Sequence, residues 1–258
     1  MDQETLDRYV DDLAAADPAV RDDHAFTGLA TVITEDGLST GQRRWLGDRM
    51  VERLGHRDPF ARSFAPLIFA VLASTWAAPE DGEWPPEWTD ALLAWWPTES
   101  DLRGHDPTVG WIHAVAHGAD AVGTLGATRL APADRLLSAV AERLTATTDF
   151  VWRDQEDDRV AAAVVGILLG DPNAGLEPLL KPVAAMFATG EPGPVPAAAT
   201  NTMRTLRSLY VALGNSVLHP ETREPQRIPN ARALQQDIAE ALQVTTPWLF
   251  SAARGSAD

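Results

Sequence analysis

Three side chains at helical spacing, His113, His117 and Asp120, are the residues best placed for chemistry. Residues four apart are neighbours on a helix, so the two imidazoles can share a proton, an anion or a metal ion. Asp120 falls one turn further on, where a carboxylate can fix an imidazole tautomer, take a proton itself or act as a further ligand. Just upstream stand Glu99, Asp101, Arg103 and His105, so residues 98–126 hold three of the chain's six histidines. An arginine in a charged loop before a helix suits a carboxylate, phosphate or sulfate, because its donors and the helix N-terminus favour the same charge. Asp101 and Arg103 can equally pair with each other and pin the loop. A third reading leaves the histidine stripe as a solvated face without chemistry.

The element that must carry this stripe reads as a helix begun by Asp106 and Pro107, an N-cap with proline in the first turn. On it Trp111, Val115, Ala119 and Val122 face the core, and His113, His117, Asp120 and Thr124 face the other way. Gly110, Ala114, Gly118 and Ala121 form a strip of small residues between them. Glycine costs about 1 kcal/mol relative to alanine inside a helix, so the strip predicts a neighbouring backbone packed close. Five of the nine tryptophans, Trp84, Trp88, Trp95, Trp96 and Trp111, lie near this stretch. Most belong in the core; one or two can wall a ligand pocket.

The run Glu99-Ser100-Asp101-Leu102-Arg103-Gly104, followed by Gly110-Trp111-Ile112-His113-Ala114-Val115-Ala116-His117-Gly118-Ala119-Asp120, resembles the signature of the DUF2785 family, a bacterial family of unknown function. Arg62-Ser63-Phe64, Asp157-Asp158-Arg159 and Arg207-Ser208-Leu209-Tyr210 are weaker echoes that extend the likeness over most of the chain. The chain departs from the family pattern at His105, where an aromatic is more usual, and at Ile112, where alanine is. The resemblance implies a helical fold with a site near the central motif and supplies no substrate. The His105-Asp106 doublet also resembles that of the helical HD phosphohydrolases, but Pro107 follows it and Asp106 is better used as a cap.

With 258 residues and a formal net charge of −16, the chain lacks the basic footprint that duplex nucleic acid or an anionic membrane requires. It has no cysteine, which excludes disulfides, thiolate metal sites and cysteine nucleophiles. The longest uncharged run, Ser63 to Ala78, contains Pro66 and falls short of the roughly 20 apolar residues of a membrane span. The N-terminus is acidic and amphipathic, unlike a secretory signal. A cytoplasmic protein is the expectation. Lys181, the one lysine, precedes Pro182 and gives Schiff-base chemistry no support.

Apolar periodicity predicts helices over Asp2–Ala16, Ala19–Thr34, Gly41–Leu54, Phe60–Trp76, Glu87–Trp96, Pro132–Thr145, Gln155–Leu169, Glu177–Ala188, Ala197–Gly214 and Ala231–Gln243, with no strand pattern. The acidic opening Glu156-Asp157-Asp158 complements its helix dipole; a second reading turns it toward the histidines. A proline-rich linker is expected near 190–196 and a frayed tail at 255–258. The expected fold is all-α, a single domain of stacked αα-hairpins in a HEAT-like right-handed superhelix, with a compact bundle or α/α-toroid as alternatives.

The functional expectation is a protein that binds or acts on a small polar, anionic ligand, its enzymatic form being acid/base chemistry without metal or cofactor. Asp101, His113, His117 and Asp120 are the catalytic candidates; Glu99, Arg103, His105 and Trp111 are the substrate-binding ones. Elimination, hydrolysis, or cyclisation by displacement of an anionic leaving group fits such a set. One alternative is a non-catalytic α-solenoid that binds a partner protein. Another is a metal hydrolase on His113, His117 and Asp120, although Ala-Val-Ala stands where an HExxH helix carries its general base.

Overall fold

Helical periodicity organises the chain from end to end. The computed structural model describes residues 1–35, 37–77, 80–189, 193–219 and 222–249. Among them lie α1 (Gln3–Asp12), α2 (Thr27–Thr34), α3 (Thr40–Leu54), α4 (Pro59–Ser74), α5 (Pro86–Trp95), α6 (Ala114–Ala127), α7 (Ala133–Thr145), α8 (Glu156–Gly170), α9 (Glu177–Ala188), α10 (Ala197–Leu213) and α11 (Ala231–Thr245). The protein is all-α. Two antiparallel ladders of two residues each, β1 (His105–Asp106) with β2 (Gly110–Trp111) and β3 (Val217–Leu218) with β4 (Pro225–Gln226), are the regular strands that the sequence pattern did not reveal. Residues 190–192 of the expected linker and the tail at 255–258 lie outside the described residues.

Local chemistry sets most helix starts. Asp58 accepts from the N–H groups of Phe60 and Ala61, with Pro59 opening α4. Ser39 and Gln42 form a capping box at α3. The expected helix 19–34 is divided: Ala19–Phe26 is a π-helix and α2 follows it. Its Arg21 is fully buried, bonded to the carbonyls of Ala15 and Val109 and lying 4.0 Å over the Phe60 ring. That cation ties the N-terminal segment to the loop before α6.

The helices alternate between two layers. In one, α4 packs on α6, α6 on α8 and α8 on α10; in the other, α3 packs on α5, α7 on α9 and α9 on α11. Polar cross-links between α6 and α8 advance together along both helices, so these two run parallel and start at the same end. They approach closely. A Cβ on Gly123 would lie 2.8 Å from the Cα of Ala163, and one on Gly166 would lie 2.6 Å from the Gly123 carbonyl oxygen. The close approach expected from the small residues therefore falls further along α6 than the strip predicted, while Gly118 makes room for the Trp96 indole. One apolar cluster extends from Leu6 to Leu242. Among the described residues no helix is long and apolar enough to cross a membrane.

Candidate functional site

The loop before α6 overturns the expected helix start. Asp106 Oδ1 accepts from the N–H groups of Thr108 (2.8 Å) and Val109 (3.2 Å), closing a turn rather than a helix. Gly110 then takes φ +79°, His105 pairs with Trp111, and α6 starts only at Ala114, after a left-handed His113. Trp111 is accordingly 44% exposed and does not join the core. His113 sits at the mouth of the helix rather than on its flank.

His113 and His117 nevertheless line one hollow of about 680 Å³ at the start of α6 and α8. Their rings are 5.8 Å apart, and Phe64 meets His117 edge-on at 5.2 Å. His117 is 8% exposed, and its Nδ1 lies 2.9 Å from the carbonyl oxygen of Ser63. A carbonyl only accepts, so Nδ1 carries the proton and Nε2 keeps its lone pair. Nε2 has no partner among the described residues. Burial, reinforced by the positive neighbours His113, Arg159 and Arg21, pushes His117 down to about 3, against the hydrogen bond to Ser63. The ring is a neutral imidazole with an open acceptor.

His113 Nε2 lies 3.0 Å from the Asp154 carbonyl oxygen and 3.4 Å from Glu156 Oε1. Glu156 is fully buried. Burial pushes its carboxyl up, but His113 and the N–H groups of Asp154 and Glu156 hold it net below its usual value. The acidic opening of α8 thus turns one carboxylate toward the histidines, as its second reading allowed. Asp157 instead pairs with Arg204, and Asp158 accepts from Ser208. Burial drives the Asp157 carboxyl up, with Arg204 opposing.

Asp120 does not face the histidines' hollow. It makes a two-pronged pair with Arg159, whose Nε lies 2.9 Å from Oδ1. Burial raises its pKa, and Arg159 opposes the shift. Asp120 lines a second hollow, of about 710 Å³, across α6, α8 and α10. Arg159 borders both hollows and joins them.

The upstream candidates lie outside the histidines' hollow, apart from Trp111, which lines it. Glu99 is buried, bonded by Arg62 Nε at 2.7 Å, Trp95 Nε1 at 3.0 Å and the Asp101 N–H at 2.8 Å. Burial would raise its carboxyl, but these donors, Arg62 above all, hold it below the usual range. Arg103 grips Asp101 through Nε and Nη2 and reaches Asp106 at 3.0 Å, so the pinned-loop reading describes its contacts. Asp101 is held low first by Arg103. Asp101 and Arg103 border a separate depression with Arg57 and Arg62, away from the histidines' hollow. His105 is exposed; its ring contacts Trp111 at 4.9 Å, and its N–H donates to Asp154.

Sequence reasoning missed Asp22, Arg153, Asp154 and Gln155, which also line the hollow. Arg153 lies over the Phe150 ring and has no ion pair among the described residues. Nothing periodic marks these residues, since they belong to a π-helix and to the irregular approach to α8. Among the described residues no three His, Asp or Glu side chains form a set able to hold a metal ion.

The segments that carried the family resemblance contact one another along the α4, α6, α8, α10 layer and its loop: Arg62 on Glu99, Ser63 and Phe64 on His117, Arg159 on Asp120, and Ser208 on Asp158. No curated protein and no solved structure matches the chain significantly. The model of DUF2785, described as a protein of unknown function, matches residues 51–211, and the chain belongs to that family.

Proposed function

We propose that this protein acts on a small polar substrate carrying an anionic group, by acid/base chemistry in the hollow between the starts of α6 and α8. One observation carries the reading: a nine-tenths buried His117 whose Nδ1 is engaged by the Ser63 carbonyl, whose Nε2 has no partner among the described residues, and which lines that hollow. The ring is buried while His117 lines the hollow, so a ligand entering there can reach the open acceptor. In this reading His117 Nε2 takes the proton. The free protein makes it a weak base, because a charged ring would be desolvated among positive neighbours. On that reading an anionic substrate offsets part of that penalty by its charge and so strengthens the base when it binds. Arg153 supplies the unpaired cation, Arg159 a second held in place by Asp120, and Glu156 supports His113 as the companion acid. Elimination, or cyclisation by displacement of an anionic leaving group, needs only such groups. We place this activity in the cytoplasm.

The test begins with thermal melts in phosphate, sulfate, carboxylates and divalent metals. Oxyanions should raise the melting temperature, and Arg153→Ala should abolish the rise; a ligand at 100 times its Kd contributes about 2.7 kcal/mol. Stabilisation by zinc or manganese alone, or turnover lost on chelation and restored by either metal, would replace this reading with the metal hydrolase.

A second reading rests on the layer order. Stacked αα-hairpins with α4, α6, α8 and α10 side by side suit a HEAT-like superhelix, and the 710 Å³ hollow lies across that layer. There it would seat a partner protein. Substitutions at Ala162 or Ala212 that abolish partner capture while leaving oxyanion binding intact would favour it.

A further inference from the structure

The histidines' hollow is divided by chemistry. Arg153, Asp154, Gln155 and Arg159 are its polar lining on the approach to α8 and in the first turn of that helix. Phe26, Phe64, Leu67 and Trp111 are its apolar lining, with Phe26 and Phe64 in edge contact. This apolar wall is built at some structural expense. Trp111 stays 44% exposed, yet its indole is flanked by the His105 ring, edge-on at 4.9 Å, and by the His113 ring, tilted by 30° at 4.7 Å. The hairpin beneath it is held by Asp106, by Arg103 and by the His105 N–H on Asp154. Phe26 closes the π-helix, and Asp22, one wide turn earlier, lines the same hollow. Such wide turns recur where side chains must be re-aimed at functional sites.

A half-exposed indole lining the same hollow as two phenylalanines and a leucine offers a flat apolar face, and such faces bind planar groups best. We propose that this wall is a subsite for an aromatic ring of the ligand, joined to the polar group that Arg153 and Arg159 hold. The inference rests on the proposed function for its polar half alone. Phe64 contacts both His117 and Phe26, so a ring on this wall sits beside the open Nε2. The substrate class is then an aryl-bearing anion rather than a small aliphatic one.

Calorimetric titration of the full chain with inorganic phosphate, phenyl phosphate and phenol tests it. Phenyl phosphate should bind about 10-fold tighter than inorganic phosphate or better. Trp111→Ala should cut that advantage to about twofold, and Trp111→Phe should keep most of it, with melting curves confirming that both variants fold. Equal affinity for the two phosphates, or an advantage that survives Trp111→Ala, overturns the subsite. Phenol binding that depends on Trp111, without phosphate binding, keeps the subsite and sinks the anionic half of the proposed function. Phosphate binding without preference for the phenyl group does the reverse. If no probe binds, both fall.

Discussion

The carbonyl oxygen of Ser63 lies 2.9 Å from Nδ1 of His117 and decides which ring nitrogen carries the proton. A residue of α4 thereby sets the chemistry of a residue of α6. Nitrogen-detected NMR should find His117 neutral, protonated at Nδ1 and bare at Nε2, from pH 8 down to pH 5. An Nε2–H tautomer in that range would remove the proposed base.

The same burial links His117 to stability. Its folded value is about 3 against 6.5 for the free side chain, so between these limits the unfolded chain binds the extra proton. Stability from this group is complete above pH 6.5 and declines as the pH falls toward 3, by an amount on the order of 4 kcal/mol. Denaturant melts of wild type and His117→Gln across pH 4 to 7 should show a steeper decline for wild type. Parallel curves would mean that His117 is not desolvated.

Glu99 and Arg103 belong to one sequence motif but differ in burial, and their substitutions should separate. Glu99→Ala leaves the largely buried Arg62 without its carboxylate and frees the Trp95 donor, which should cost about 3 kcal/mol. Arg103 is about half exposed and its pairs are screened by solvent, so Arg103→Ala should cost under about 1 kcal/mol. Equal losses in urea denaturation would contradict this division.

These two residues also show what the sequence can disclose. The helices were legible because a period of 3.6 is a local property, and so was the pairing option for Asp101 and Arg103, which are two residues apart. The hairpin was not legible. Asp106 followed by Pro107 looks the same at the start of a helix as in the turn it makes. The outcome depends on Gly110 at φ +79° and on Asp154, 49 residues away, accepting from His105. Arg62 on Glu99 and Arg159 on Asp120 are likewise matters of which helices meet, and no spacing encodes that. The family motif mixes residues that hold the loop before α6 together, such as Glu99 and Arg103, with residues that open onto the hollow, such as His113 and His117.

Packing between α6 and α8 allows a sharper mutational contrast. Gly123→Ala places a methyl 2.8 Å from the Ala163 backbone, and relieving this by separating the helices should cost about 1–3 kcal/mol. Gly41→Ala, in the first turn of α3, meets nothing within 4 Å and gains helix propensity, so it should be neutral or stabilising by a few tenths of a kcal/mol to about 1 kcal/mol. Urea midpoints for the two variants check both signs.

Asp120 was expected to take a proton, but its contacts give it another part. Its carboxylate is committed to Arg159 through both oxygens, and Arg159 is the residue shared by the two hollows. An arginine held at one edge by a carboxylate loses less conformational freedom when it binds an anion. On the proposed function Asp120 would act on the ligand through Arg159, and a double-mutant cycle on phosphate binding isolates that route. Arg159→Ala should weaken binding about 10-fold or more, within the energy of a charge-assisted hydrogen bond. Asp120→Asn keeps the shape but loosens the guanidinium, and should weaken binding by a smaller factor. In the double variant the Asn substitution should add nothing, because its effect needs the arginine. Independent, multiplicative losses would mean that Asp120 touches the ligand directly, as a catalytic carboxylate would.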